Sequence, residues 1–320
     1  MYDLIGDIHG HAEELVQLLR VLGYSKSKGA YRHPDRKVIF LGDFIDRGSK
    51  IRQVLETVRP MVEAGTALAV MGNHEWNALA FHTEDFEKPG EFLRRHSRKN
   101  IKQLSQTHQQ LKPGELASYL KWFRTLPMWL DLDGLRVVHA CWNDEAISTL
   151  ERSLRGRGVV TTKFLQTACK AGNQEYHHAE EILRGKKAAL PDGIAFEDKE
   201  GELRTKMRTR WYLAPEGHTY ESYSFESTKV NCPHELHPSV HAASVPYPAN
   251  AKPVFIGHYW LNATQPVILA DNVACLDFSV ANGGFLCAYR WDGEQKLNDA
   301  NFVWIVSSFS QGDRRKRMVA

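Results

Sequence analysis

The chain has 320 residues, 42% of them hydrophobic and 25% charged, with a formal net charge of +3. That is the composition of an ordinary globular protein with room for one large domain or two smaller ones. So small a cationic surplus gives no bulk-electrostatic case for nucleic acid or membrane as a partner. No apolar run approaches the roughly 18 residues of a membrane span, and Met1-Tyr2-Asp3-Leu4 does not open like a signal peptide. The cysteines Cys141, Cys169, Cys232, Cys275 and Cys287 show no CxxC spacing and read as reduced thiols of a cytoplasmic protein. Cys232 with His234 and His237 falls short of four zinc ligands and reads as a plain loop. The run Arg314 to Arg317 reads as a solvated tail.

In chain order, Tyr2 to Ile5 predict a short buried strand. His11 to Leu22 follow, with Leu15, Leu18, Leu19 and Leu22 at helical spacing. Lys37 to Leu41 predict a second strand, and Ile51, Val54, Leu55, Val58 and Val62 a second amphipathic helix. Thr66 to Met71 supply a third strand, and another helix starts after Asn73. Such alternation puts helices outside a sheet. From Pro89 to Pro127 the chain turns helical and polar, with aromatics at Tyr119, Trp122 and Phe123. A hairpin is expected between Pro127 and His139, because Asp133-Gly134 suits a tight turn. Glu151 to Tyr247 lack sustained periodicity and are expected to form an irregular insertion carrying some helix. Strands return at Pro253 to Ile256, Val273 to Phe278, Phe285 to Arg290 and Phe302 to Val306. The expectation is one α/β domain over residues 1–320 with two packed sheets and an insertion at about 151–247.

Three motifs follow the first three predicted strands: Gly6-Asp7-Ile8-His9-Gly10, Gly42-Asp43-Phe44-Ile45-Asp46-Arg47-Gly48 and Gly72-Asn73-His74-Glu75. Open α/β sheets place ligands at such strand ends. Two later strands end in Val137-Val138-His139-Ala140 and Phe255-Ile256-Gly257-His258. Glycine lets the backbone turn sharply beside a cluster, and Asp, Asn and His suit first-row divalent metals. Taken singly, each motif has a plain explanation as a turn or a hydrogen-bonding histidine. Five together, each after a predicted strand, argue for one composite site.

In this order the motifs resemble the PPP-type, calcineurin-like metallophosphoesterases, a superfamily that includes serine/threonine protein phosphatases and symmetrical diadenosine tetraphosphatases. The resemblance runs from Gly6 to about Tyr289 and leaves the segment between His139 and Gly257 largely unmatched. It implies a four-layer α/β (α+β) fold, a central β-sandwich flanked by helices. It also implies two divalent metal ions, manganese first, with iron or zinc acceptable to the same donors. Asp7 and His9 would hold one ion, Asn73, His139 and His258 the other, and Asp43 would bridge them. Ions about 3.5–4 Å apart can lower the pKa of a shared water and clamp the attacking and leaving oxygens. Asp43 offers the two anionic oxygens a bridge needs, whereas Asn73 limits the negative charge facing an anionic substrate.

The same resemblance makes His74 the general acid, with Asp46 orienting its imidazole. Arg47, with Asn73, would grip the phosphoryl oxygens; the plain alternative for Asp46-Arg47 is a surface ion pair. A second phosphate-binding arginine is sought in Arg208-Thr209-Arg210-Trp211, with Arg210 the first choice and Arg208 the second; a solvated basic loop is the plain alternative. Trp76 reads as packing, and Asp277 as a carboxylate orienting a ligand histidine.

The reaction implied is direct attack of activated water on phosphorus, without a covalent intermediate. The partner is a phosphorylated substrate, phosphoprotein or nucleotide, and its identity depends on what surrounds the site. Asp46-Arg47-Gly48 and Asn73-His74-Glu75 resemble the protein phosphatase branch and place phosphomonoester hydrolysis first, phosphoproteins included. The Arg208–Arg210 loop and Tyr259-Trp260 lean toward dinucleoside polyphosphates or nucleotide phosphodiesters, placed second. An inactive scaffold of the same fold would have lost ligands, and all six are present. Nothing in the sequence speaks to oligomeric state.

Overall fold

Strands Tyr2–Ile5, Lys37–Phe40 and Ala67–Ala69 lie parallel, with Leu4 opposite Ile39 and Ile39 opposite Leu68. Parallel neighbours need long crossovers, and helices Ala12–Val21 and Ile51–Glu63 provide them. The antiparallel strand Phe285–Trp291 pairs with Tyr2–Ile5 on the other side and is itself flanked by Asp277–Phe278 and Phe302–Val306, completing a six-stranded sheet. A second, four-stranded sheet has the order Val273–Cys275, Val254–Ile256, Arg136–Val138, Trp129–Asp131. The computed structural model describes residues 1–154, 158–198, 201–226 and 228–307; the basic run Arg314 to Arg317 lies outside them.

Side chains alternate between the two faces of a strand, and that alternation builds the layers. Leu4, Ile39, Val70, Cys287 and Tyr289 from the first sheet meet Val137, Phe255 and Ala274 from the second in one apolar cluster, the interior of a sandwich. Their neighbours one residue along, Ile5, Phe40, Val138 and Ile256, belong to the cluster shared with the helices. This is the β-sandwich flanked by helices that the sequence led us to expect.

Four elements differ in detail from expectation. In the second helix Met61 rather than Val62 completes the buried stripe. Val273 to Phe278 form two strands in different sheets, with Leu276 between them inside the sandwich. Alternation continues through the crossing, so periodicity cannot mark the break. Helix Asp144–Leu154 runs past the expected start of the insertion, and its Ile147 and Leu150 join the main core with Ile182 and Leu183 of Gln174–Arg184. The rest of the insertion is more regular than its sequence suggested. Lys187–Ala189 pairs with Lys206–Arg208 and Phe196–Glu197 with Leu203–Arg204, strands too short to display a period. They cover a small apolar cluster of Phe196, Met207, Tyr220, Tyr223, Val230 and Cys232, which makes Cys232 a packing residue. All five cysteines are unpaired. Among the described residues no helix is long and apolar enough to cross a membrane.

Candidate metal centre

Adjacent strand ends deliver Asp7, Asp43 and Asn73 side by side, while the second sheet presents His139 and His258 from its own strand ends. Two donor triads result, His9–Asp43–His74 and Asp43–His139–His258, and the donor atoms within each lie within 4.8 Å of one another. Asp43 belongs to both. One of its oxygens is 3.5 Å from His9 Nε2 and the other 3.5 Å from His139 Nε2. Asn73 Oδ1 lies 2.7 Å from His258 Nδ1 and 3.1 Å from His139 Nε2. The Asp7 carboxylate accepts from the His258 backbone amide at 3.1 Å. All six residues singled out in the sequence are therefore gathered, five of them buried and His258 half-buried.

The donor set fits divalent cations. His9 Nδ1 donates to the Ile45 carbonyl at 2.9 Å, which leaves a lone pair on Nε2, and that nitrogen is buried with no hydrogen-bond partner. An orphaned buried polar atom costs about 1–3 kcal/mol, a penalty that a cation beside Asp43 would remove. His139 is held the same way, by Leu41 O at 2.7 Å, the backbone support typical of ligating histidines. Burial, helped by His74, holds His9 well below the usual imidazole range, and burial with Arg208 does the same to His258. Both shifts favour the neutral ring that a ligand must offer. Burial alone pushes Asp43 up, but His139, His74 and His9 outweigh it and hold the carboxyl well down. Asp7 is pushed well up by burial, Asp277 and Asp43, a carboxylate crowding that cations would relieve.

The backbone is strained here. Among the described residues, six of the eight non-glycine residues with positive φ lie at the site: His9, Asp43, Asp46, Arg47, His258 and Trp260. Each costs on the order of 1 kcal/mol or more and persists only where surrounding structure enforces it. Gly10 and Gly42 take the left-handed backbone of the sharp turn read in the sequence, with φ 71° and 93°, whereas Gly72 and Gly257 answer a different need. A Cβ on Gly72 would come within 2.2 Å of Asp43 Oδ1, and one on Gly257 within 2.1 Å of Asp7 Oδ1. Close approach, more than a sharp turn, excludes side chains at these two positions.

Three supporting residues escaped the sequence reading. The Glu75 carboxylate accepts from the amides of Gly72 at 3.1 Å, Asp43 at 2.8 Å and Phe44 at 2.8 Å, and so ties two motif loops together. Burial and the nearby Asp43 push Glu75 up to about 7. A glutamate three residues after a helix N-cap can signal the local half of this arrangement; the long-range half leaves no trace in sequence. Thr107 and Gln103, on helix Arg98–Gln110, were invisible. Thr107 Oγ1 donates to Asp46 Oδ1 at 2.5 Å, and Gln103 Nε2 lies 3.5 Å from Asp46 Oδ2. So anchored, Asp46 meets His74 Nδ1 at 2.6 Å, and His74 Nε2 faces Asp43 Oδ2 at 3.8 Å. A Glu75→Gln variant places an amide NH2 among backbone donors, and we expect a 10- to 100-fold loss of manganese affinity by calorimetry; unchanged affinity would remove Glu75 from the support of the centre.

Arg47 sits over Trp260, its guanidinium carbon 3.7 Å from the ring centroid. Of the two arginines weighed for a second phosphate contact, Arg208 is the one beside the centre. Its Nη1 donates to the His258 carbonyl at 3.3 Å, while Glu226 pairs with its Nε. Arg210, the first choice from sequence, donates instead to Ser224 O at 3.2 Å. Asp277 accepts from the backbone amide of Trp260 at 2.8 Å and so braces the loop after His258. Trp76 packs edge-on against Phe164, as read.

Residues 2–190 match the calcineurin-like phosphoesterases. The chain belongs to the calcineurin-like phosphoesterase family. Among curated relatives, the asymmetrical bis(5'-nucleosyl)-tetraphosphatase PrpE of Geobacillus sp. is 33% identical over 145 residues, 43% of this chain and 55% of that protein. Its namesake in Halalkalibacterium halodurans is 45% identical over 74 residues, 23% and 30% of the two chains. This calcineurin-like phosphoesterase thus spans about half, or less, of the length of these relatives. They carry the asymmetrical name, where the sequence resemblance pointed to the symmetrical enzymes. A solved protein serine/threonine phosphatase from Saccharomyces cerevisiae is similar over 96% of this chain and 79% of its own, with 13% identity and a TM-score of 0.48.

Proposed function

We propose that this calcineurin-like phosphoesterase hydrolyses dinucleoside polyphosphates with two divalent cations, manganese first, and phosphomonoesters as a second substrate class. The observation that carries the hydrolytic reading is Asp43, shared by two donor triads whose atoms lie within 4.8 Å of one another. The names of the PrpE relatives support the order of substrates, reversing the preference drawn from the sequence.

Asp7, His9, Asp43, Asn73, His139 and His258 would hold the cations, which when bound supply Lewis acidity and a lowered pKa for water. His74, with Nδ1 fixed by Asp46, keeps Nε2 facing the centre and hands a proton to the departing oxygen. Arg47, immobilised on Trp260, and Arg208, beside His258, orient the phosphoryl oxygens. Planar guanidiniums suit that task because they can donate two parallel hydrogen bonds.

A manganese-supplemented panel of diadenosine tetraphosphate, phosphoserine and phosphotyrosine peptides and a nucleotide phosphodiester tests this reading. Fastest turnover of the dinucleotide is expected. A preference for phosphopeptides would restore the phosphomonoester order, and no turnover of any member would leave an inactive scaffold. Arg47→Ala should weaken competitive inhibition by inorganic phosphate by about 10- to 100-fold, the size of a lost charge-assisted hydrogen bond pair. Unaltered inhibition would count against Arg47 as a phosphate ligand.

A further inference from the structure

Two more arginines reach helix Asn73–Phe81, which carries His74: the Arg94 amide donates to Ala80 O at 3.0 Å, and Arg184 reaches Asn77. Arg94 is half-buried, and its Nη2 donates to Gln103 Oε1 at 2.9 Å. The amide nitrogen of the same Gln103 lies 3.2 Å from His74 Nδ1, so Arg94 stands one side chain away from the acid. Its Nε is shielded from solvent without a hydrogen-bond partner, and Asp46 is the carboxylate that acts on its charge. Arg184, at the end of helix Gln174–Arg184, donates to Asn77 Oδ1. Asn77 sits one turn beyond Asn73 on helix Asn73–Phe81 and therefore on the same face. Glu180 pairs with Arg184 but is shared with Lys187. Burial and then the charge of Arg94 lower Arg184 to about 10, so the two guanidiniums feel each other.

Two half-buried cations with a single ion pair, from Arg184 to the Glu180 that Lys187 shares, are expensive to keep together even with Asp46 and Asp43 in electrostatic range. A phosphate between them would relieve that cost, and arginine forks match its geometry. We propose that Arg94 and Arg184 form a second anion subsite on the leaving-group side of His74, one that takes the next phosphate of a polyphosphate chain. The inference rests on the hydrolytic reading above and deepens it. A leaving oxygen protonated at His74 continues, in a polyphosphate, into another phosphate, and Arg94 stands one side chain from His74. A serine or threonine leaving group would bring no charge there.

The test uses the full chain and the variants Arg94→Gln and Arg184→Lys, the second retaining the charge but not the fork. Tripolyphosphate binding to the metal-free protein is measured by calorimetry. With manganese, the ratio of kcat/KM for diadenosine tetraphosphate to that for p-nitrophenyl phosphate is measured, together with the pH–rate profile. Both variants should weaken tripolyphosphate binding by about tenfold or more and lower the ratio by a similar factor. Wild-type binding in Arg94→Gln, which sits at a half-buried position that tolerates the change best, would overturn the subsite. So would an equal loss on both substrates with a shifted pH profile, because Arg94 would then be positioning Asp46 and His74. Arg94-dependent tripolyphosphate binding by a wild-type protein that turns over no dinucleotide would uphold the subsite and overturn the substrate reading alone.

Discussion

Asp43→Asn should abolish manganese retention and turnover together. The two Asp43 oxygens face different histidines, His9 and His139, each at 3.5 Å, and one oxygen also accepts from the His74 amide at 2.9 Å. An amide keeps one neutral oxygen and turns an NH2 toward the other triad, so neither cation keeps an anionic donor from this position. Loss of a bridging carboxylate exceeds the 10- to 100-fold effect typical of supporting residues around metals, and we expect at least about 100-fold in affinity. Misfolding is separable from this loss. The metal-free variant loses the attraction of the Asp43 carboxylate to His139, His74 and His9 and should melt somewhat lower than the metal-free parent, while a cooperative melt shows that it is folded. Normal metal content with normal turnover would defeat the assignment of Asp43 as the bridge.

His74→Asn should behave differently, keeping the metal while losing rate. Asp7, His9, Asp43, Asn73, His139 and His258 remain in place, and Asp46 keeps its bonds to Thr107 and Gln103. What disappears is the ring that Asp46 holds at 2.6 Å and aims at the centre. General acid catalysis contributes about 10²–10⁴-fold, so turnover should fall by that factor on a substrate with a poor leaving group. An aryl phosphate, whose phenolate leaves without a proton, should suffer much less. Equal losses on both substrates would show that His74 serves the centre structurally. Unchanged turnover with the poor leaving group would exclude it as the acid.

These two variants concern residues legible in the sequence, because catalytic groups at strand ends are written next to the strands that carry them. Asp7, Asp43, Asn73, His139 and His258 each follow a short apolar run within one to three residues. Strand alternation is equally local, and from it came the two sheets and most of the elements. The strand read across Val273 to Phe278 was lost because alternation is blind to a change of sheet.

The roles of acid for His74 and carboxylate partner for Asp46 are what the family resemblance implies; the amino-acid order by itself determined the donor types and their sequence beside successive strands. These depend on residues near one another in the chain and on backbone periods of two and 3.6. Tertiary structure alone decided that Thr107 and Gln103 anchor Asp46, that Glu75 ties two loops, that Arg208 rather than Arg210 stands beside His258, and that Arg94 and Arg184 both reach the helix carrying His74. Each of these joins segments tens of residues apart through side chains with no local signature. Such contacts are selected by packing of whole elements, and no pattern within one segment records which distant surface it will face.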